Sequence, residues 1–236
     1  MTVAQMHNEF KIGLDKVDSL SSPNFIAEEI DTILNTAQEE FITQRAYRNN
    51  PRKQGVEETQ KRIDDLKNIT ANYTTTTFTN NSSNKPNAVF VNLPTNYRHA
   101  LQEDVIVSYT DCNNTAATTI TQVKPITHDR YNKLIRDPFN KPSKDLVLRL
   151  ALEKSAGIER FELICPNTIT SYNLRYLRQP IKIQYGTQYQ VPTTDQNCEL
   201  SDHTHREIIA IAIKNTLEDI ESPRYQSTKN ELNTIE

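Results

Sequence analysis

Residues 24–49 read NFIAEEIDTILNTAQEEFITQRAYRN. Ile26, Ile30, Ile33, Leu34, Ala37 and Phe41 recur at steps of three and four, which is one apolar face at the helical period. Glu28, Glu29, Asp31, Asn35, Gln38 and Glu39 fall on the opposite, polar face. Ser22 and Pro23 supply a cap and a first-turn proline, and Pro51 a stop. At ~1.5 Å per residue the rod is roughly 38 Å long. Its apolar stripe needs partners along its whole length, and the rest of the chain is read for them.

The segment before it, from Thr2 to about Leu20, carries Val3, Met6, Phe10, Leu14 and Val17 on one face, with Gly13 a weak point of ~1 kcal/mol relative to alanine. The Ser19–Ser22 break predicts an antiparallel helical hairpin that sets Phe10 and Leu14 near Ile30 and Ile33. After the polar connector 49–55, a third helix is expected from Val56 to about Ile69. It is charged, with a narrow stripe of Val56, Ile63 and Leu66, and reads as a surface helix.

The period then changes. Ala71 to Asn87 is rich in Thr, Asn and Ser and reads as loop or extended edge. Strand-like runs follow at 88–93, 104–109, 118–123, 146–152, 158–165 and 170–177, the fourth and fifth joined as a hairpin at Ser155-Ala156-Gly157. Residues 128–135 read as one or two helical turns, and Pro180 places Ile181-Lys182-Ile183 at a sheet edge. A last long helix starts near Ser201-Asp202, carries Ile209, Ala212, Ile213, Leu217 and Ile220, and ends before Pro223. The expected fold class is α+β: a helical bundle, made of the N-terminal helices plus the returning C-terminal helix, with an inserted antiparallel β-sheet region. The expected parts are 1–70 (helical), 71–200 (β-rich, with extended loops), 201–222 (the completing helix) and 223–236 (a polar tail).

Composition narrows the chemistry. The chain has 236 residues, 36% hydrophobic, and a formal net charge of −3, so overall basicity gives no argument for nucleic-acid binding. Four glycines and no Gly-x-Gly-x-x-Gly or Gly-x-x-x-x-Gly-Lys argue against a phosphate-cradling loop. Three isolated cysteines, Cys112, Cys165 and Cys198, read as reduced thiols of a protein made in a cytoplasm. No apolar run approaches ~18 residues and no export signal opens the chain, so a soluble protein is expected. Five Asn-x-Ser/Thr triplets, beginning at Asn68, Asn72, Asn80, Asn81 and Asn113, are accounted for by polar composition rather than by glycosylation.

Asp202, His203, His205 and Glu207 form the best metal-like cluster. However, the two histidines are two apart, whereas a helical zinc pair needs a spacing of four. Capping by Ser201 and Asp202 with exposed histidines is the simpler reading, and no metal or cofactor is expected. No local signature pairs a cysteine with a histidine for catalysis. The carboxylate pairs Glu28/Glu29, Glu39/Glu40, Glu57/Glu58 and Asp64/Asp65 read as solvated helix faces, so no enzyme activity is expected.

Two features suit contacts. Tyr172, Arg175, Tyr176 and Arg178 combine residue types favoured at interface centres. They also fit single-stranded nucleic acid, or a half-buried strand with its arginines in solvent. Phe139, in the rigid Asp137-Pro138-Phe139-Asn140-Lys141-Pro142 turn, either anchors a neighbour or tucks into its own core. The basic end of the long helix, Arg45, Tyr47 and Arg48, reads as a further contact surface.

The order of segments, with TVAQMHNEF at 2–10, EEIDTILNTAQEEFI at 28–42, GVEETQKRIDDL at 55–66, LPTNYRH at 93–99, HD at 128–129, DPFNKP at 137–142, LRYLRQPI at 174–181 and HREII at 205–209, resembles the structural ring or adaptor proteins in the neck and tail of crAss-like bacteriophages. The resemblance implies a non-enzymatic virion component: a twelve-fold ring of identical subunits, stacked on the portal or on another ring, with DNA passing through its centre without sequence-specific binding. The alternatives are a nucleic-acid-binding accessory protein using the Tyr172–Arg178 strand, and a hydrolase of the host envelope, for which no residue spacing speaks.

Overall fold

A computed structural model describes residues 1–14, 25–47, 59–80, 85, 87–155 and 157–219. The expected cap at Ser22-Pro23, the end of the first helix at Leu20, the stop at Pro51, the start of the third helix at Val56, Arg48, and the tail after Pro223 lie outside the described residues. By contact the chain divides into two units, Met1–Ile69 with Pro180–Glu236, and Thr70–Gln179.

The first unit holds α1 (Val3–Gly13), α2 (Ala27–Ala46), α3 (Gln60–Leu66) and α5 (His205–Asp219). Thr2 and Gln5 close a capping box on α1, and the Glu29 carboxylate reaches back to the Ile26 N–H at the start of α2. α5 packs on both α1 and α2. Gly13 permits the close approach of α1 and α5: a Cβ there would fall 2.2 Å from Ile213 Cδ1. Of the narrow stripe expected of α3, Leu66 is buried and Ile63 is not. Ile63 is 39% exposed, whereas Arg62 and Asp65 are buried with Leu66.

The second flank of α2 is covered by extended chain rather than by a helix. Asn35 brackets the backbone of Ile183, donating from Nδ2 to its carbonyl (2.9 Å) and accepting its N–H at Oδ1 (2.8 Å). Gln38 donates to the Ile181 carbonyl at 3.4 Å, and Asp31 accepts the Tyr185 N–H at 2.8 Å. Asp31, Asn35 and Gln38 are spaced i, i+4, i+7, so they line one side of the helix. Residues 181–183 therefore join no sheet; the backbone groups of Ile181 and Ile183 are satisfied by the side chains of Gln38, Glu199 and Asn35.

The second unit corrects the expected fold class. The chain's hydrogen-bonded framework is an eight-stranded mixed sheet, and a helical bundle core is not supported. The strands are β1 (Thr70–Thr75), β2 (Thr79–Asn80), β3 (Ala88–Asn92), β4 (Tyr97–Thr110), β5 (Ala116–Pro125), β6 (Val147–Ser155), β7 (Ile158–Ile164) and β8 (Thr168–Arg178), in the order β1-β8-β4-β5-β6-β7-β3-β2. All neighbours are antiparallel except β5 and β6, which are parallel. The reason lies in residues 126–146. They include α4 (His128–Arg136) and carry the chain back only to the level of Val123, where Val147 enters in the same direction and β6 pairs with the last three residues of β5. The β6–β7 hairpin expected at Gly157 is present, with that glycine at φ 81.

The sheet is strongly curled. In a flat sheet with strands ~4.8 Å apart, β4 and β7 would lie about 14 Å apart and β1 and β3 nearly 30 Å apart. Instead the rings of Tyr97 on β4 and Phe161 on β7 meet at 5.6 Å, and the Tyr73 hydroxyl on β1 donates to the Asn92 carbonyl on β3 at 3.2 Å. Residues 76–78 alone connect β1 to β2 at the opposite edge. Inside the curl lies one apolar cluster with Val91, Val105, Val107, Val123, Val147, Phe161, Leu163, Tyr172 and Leu174. Alternate residues Leu148, Leu150 and Ile164 face outward with Ala88 and are covered by Tyr131 and Leu134 of α4.

Of the two forms expected for the Thr-rich stretch 71–87, loop or extended edge, β1 takes the second, as the outermost strand of the sheet order. β1 alternates exposed and half-buried residues and pairs with β8 along its length. Threonine is β-branched and fits an extended edge even where polarity hides it from a hydropathy scan.

Candidate functional site

No group of three or more His, Cys, Asp or Glu among the described residues has metal-site geometry, and no described helix is long and apolar enough to cross a membrane. Two residues of the metal-like cluster, His203 and Glu207, instead join a buried charge network in the helical unit, while Asp202 is exposed and pairs with the Met1 amine. Arg45, 3% exposed, donates from Nε to Asp65 Oδ2 at 3.0 Å and from Nη2 to Glu207 Oε2 at 2.5 Å. His203 Nε2 lies 2.8 Å from Asp65 Oδ1, and Lys61 Nζ lies 3.0 Å from Glu207 Oε1. Arg62 donates to the carbonyls of Gln44 and Arg45, closing the C-terminal end of α2. Among the carboxylates read as solvated, Asp65 is bound here and Glu40 accepts from Lys214 and Asn215 of α5. Ser201 gives its hydroxyl to the Asp64 carbonyl rather than to a cap.

His205 is 2% exposed, with Nε2 3.0 Å from the Leu200 carbonyl and Nδ1 3.1 Å from the Met1 amine. Burial is the main cause that holds its pKa below the ordinary 6.5, and the Met1 ammonium adds to it; the Leu200 carbonyl opposes. A depressed histidine pKa means the folded state favours the neutral ring. That stability is complete above about pH 6.5 and is lost as pH falls through it toward the folded value. The urea midpoint should therefore fall between about pH 7.5 and pH 5.5. His205→Gln should show a flatter profile; an unchanged slope would remove His205 as the cause.

Asp31 organises a second site. Its Oδ1 lies 2.7 Å from His7 Nε2, while Oδ2 accepts the Tyr185 N–H and, at 2.6 Å, the Tyr189 hydroxyl. Burial and this carboxylate push the Tyr189 hydroxyl far above its ordinary pKa. The loop beyond is closed at its base by paired backbone hydrogen bonds between Gln184 and Gln196. Gly186 is required there, since a Cβ would fall 2.1 Å from Thr193 Oγ1 and 2.8 Å from its backbone. Val191, 77% exposed, sits on the loop.

In the sheet unit, Glu103 is buried. It pairs with Arg149 (3.2 Å) and accepts the Tyr172 hydroxyl (3.0 Å). Burial raises the Glu103 pKa despite both partners. Arg149 also lies over the Phe161 ring at 4.1 Å.

The expected contact residues separate on this structure. Tyr172 is wholly buried, and Tyr176 is 4% exposed with its hydroxyl donating to Asn96 Oδ1. Arg175 on the same strand is exposed and Arg178 half-buried. Base stacking needs accessible ring faces, which these two tyrosines do not offer. Arg45 is occupied inside the helical unit, and Tyr47 beside it is 42% exposed. Phe139 is 92% exposed, and its turn is rigid: Asp137 accepts the Phe139 N–H at 3.0 Å and the Asn140 side chain at 2.7 Å. These bonds, the Asn140 side chain first, hold the Asp137 carboxyl below its ordinary pKa.

No catalytic constellation stands out among these sites; what the surface offers is exposed apolar and basic residues on a rigid frame. Residues 1–230 match the family described as phage tail ring protein 3/4. The chain belongs to that family. It is 27% identical over 207 residues to ring protein 3 of Bacteroides phage crAss001, covering 82% of this chain and 86% of the relative. It is 25% identical over 230 residues to ring protein 4/5 of the same phage, covering 91% of each. As a member of the family, this ring protein is a structural component of a phage virion.

Proposed function

We propose that identical copies of the ring protein close into a ring in the phage neck or tail barrel, acting as an adaptor between portal and tail with DNA passing through the lumen during ejection. The observation that carries this reading is the family match over residues 1–230. The surface is consistent with it. Phe139, Tyr47 and Arg175 are exposed, and large side chains of these types gain most when a partner desolvates them. With a net charge of −3, the chain has no overall excess of cations to hold a passing phosphate backbone. The ring is proposed to be twelve-fold, made from subunits synthesised in the host cytoplasm.

Electron microscopy of purified protein, alone and with the portal, tests this directly. Class averages should show a closed ring with twelve repeats. A different repeat number would replace the stoichiometry. Protein that forms no ring and is missing from purified virions would end the proposal.

A further inference from the structure

The net charge of −3 averages over an uneven distribution. Between Lys124 and Asp145 the chain carries six lysines and arginines against three aspartates. These residues are the end of β5, α4 and the Phe139 turn, and they adjoin one another: Lys124 Nζ, on the outward row of β5, lies 3.5 Å from Asn140 Oδ1 in the turn. Tyr131 and Leu134 are half-buried against Leu148, Leu150 and Ile164, so α4 rests on the sheet by that side. Lys133 and Arg136 fall on the opposite side at the helical period, with Asp129 one turn before Lys133 and Arg130 on the flank. Lys124, Arg130, Lys133, Arg136 and Lys141 are all exposed. Lys144 is engaged by Asp145 at 3.1 Å, and Asp137 by the turn itself. Among the described residues, Lys133, Arg136 and Lys141 form no ion pair.

We propose that this surface contacts the phosphate backbone of duplex DNA. The choice of duplex rests on the ring reading above, which brings DNA against some face of each copy, and α4 with its neighbouring lysines is that face. The chemistry favours a nucleic acid over an acidic protein. The centres of protein–protein interfaces are depleted of charge, and of lysine in particular. Surfaces that bind nucleic acid are instead strongly positive and make most of their hydrogen bonds to phosphate and sugar. Lysine and arginine side chains are donors without acceptors, and phosphate oxygens are acceptors without donors, so the two match without reading sequence. The patch is exposed, so salt screens it. A few such contacts per copy guide a duplex without gripping it, in keeping with a chain that has no overall excess of cations.

The test is fluorescence anisotropy of a labelled short duplex titrated with the full chain, while mass photometry of the same samples records assembly. Affinity should be the same for unrelated sequences and should fall roughly a hundredfold between about 50 and 200 mM salt, the slope of about four phosphate contacts. Lys133→Glu with Arg136→Glu, folded by circular dichroism, should bind at least about tenfold more weakly at about 50 mM salt, with a slope smaller by about two. Lys182→Glu with Arg206→Glu makes the same change of net charge at exposed positions of the helical unit and should bind within about twofold of wild type. Phe139→Ala should also bind like wild type, since phosphates make no use of its ring. Wild type with no salt-dependent affinity, or affinity unchanged by the reversal on α4, overturns the assignment. A loss in Phe139→Ala equal to that of the reversal indicates an apolar protein contact and overturns it as well. Rings with no duplex affinity leave the ring reading standing without this surface. Duplex affinity in protein that forms no ring, alone or with portal, overturns the ring reading and keeps the surface.

Discussion

Arg45→Ala is expected to cost the protein ~3–5 kcal/mol, because it strands Asp65, which is wholly buried, together with Glu207. The guanidinium reaches both carboxylates, whereas Lys61 touches Glu207 and His203 touches Asp65. A urea titration followed by far-ultraviolet circular dichroism reads the loss as a lower midpoint. The double variant Arg45→Met with Asp65→Asn should recover part of it, since an uncharged pair leaves less charge to desolvate. A single variant within ~0.5 kcal/mol of wild type would show that water reaches the two carboxylates.

Asp31→Ala should produce the next largest change, concentrated in residues 180–200. One carboxylate holds His7, the Tyr185 N–H and the Tyr189 hydroxyl, and hydrogen bonds to a charged group contribute about 1.5–3 kcal/mol each. The expected result is fast hydrogen exchange and early proteolysis in 184–196, with protection in β6 and β7 unchanged. Asp31→Asn keeps the shape and should fall between the two. Equal protection of 184–196 in Asp31→Ala and wild type would mean that Asn35, Gln38 and the Gln184–Gln196 closure hold the strap without it.

What the sequence disclosed follows a physical line. Apolar periodicity depends on local order, so α2, α5 and the β6–β7 hairpin were legible from Ile30, Leu34, Phe41, Ile209, Leu148 and Leu163. Burial of polar groups depends on what arrives from elsewhere in the chain. Asp31, Asn35 and Gln38 looked like a solvated face because nothing nearby in sequence says that the backbone of 181–185 will dock there. Arg45 looked like an exposed basic end for the same reason: its partners lie 20 and 162 residues away. The sheet was under-read because β1 is Thr-rich and the first half of β4, Tyr97–Glu103, is polar enough to pass for a loop. The parallel β5–β6 pairing was hidden because it depends on where α4 returns the chain. Of the contact residues, the exposure of Phe139 was one of two readings left open by its turn, and the burial of Tyr172 and Tyr176 follows from their facing the interior of the curl.

The three residues 76–78 that tie β1 to β2 have one more effect. With Cα atoms ~3.8 Å apart, so short a link keeps the ends of the two outermost strands within about 15 Å of each other. Each border of the sheet thus looks toward its own opposite border instead of outward. In a ring, where copies are held at very high local concentration, open strand borders would invite indefinite strand-on-strand stacking. A sheet rolled onto itself withholds that template.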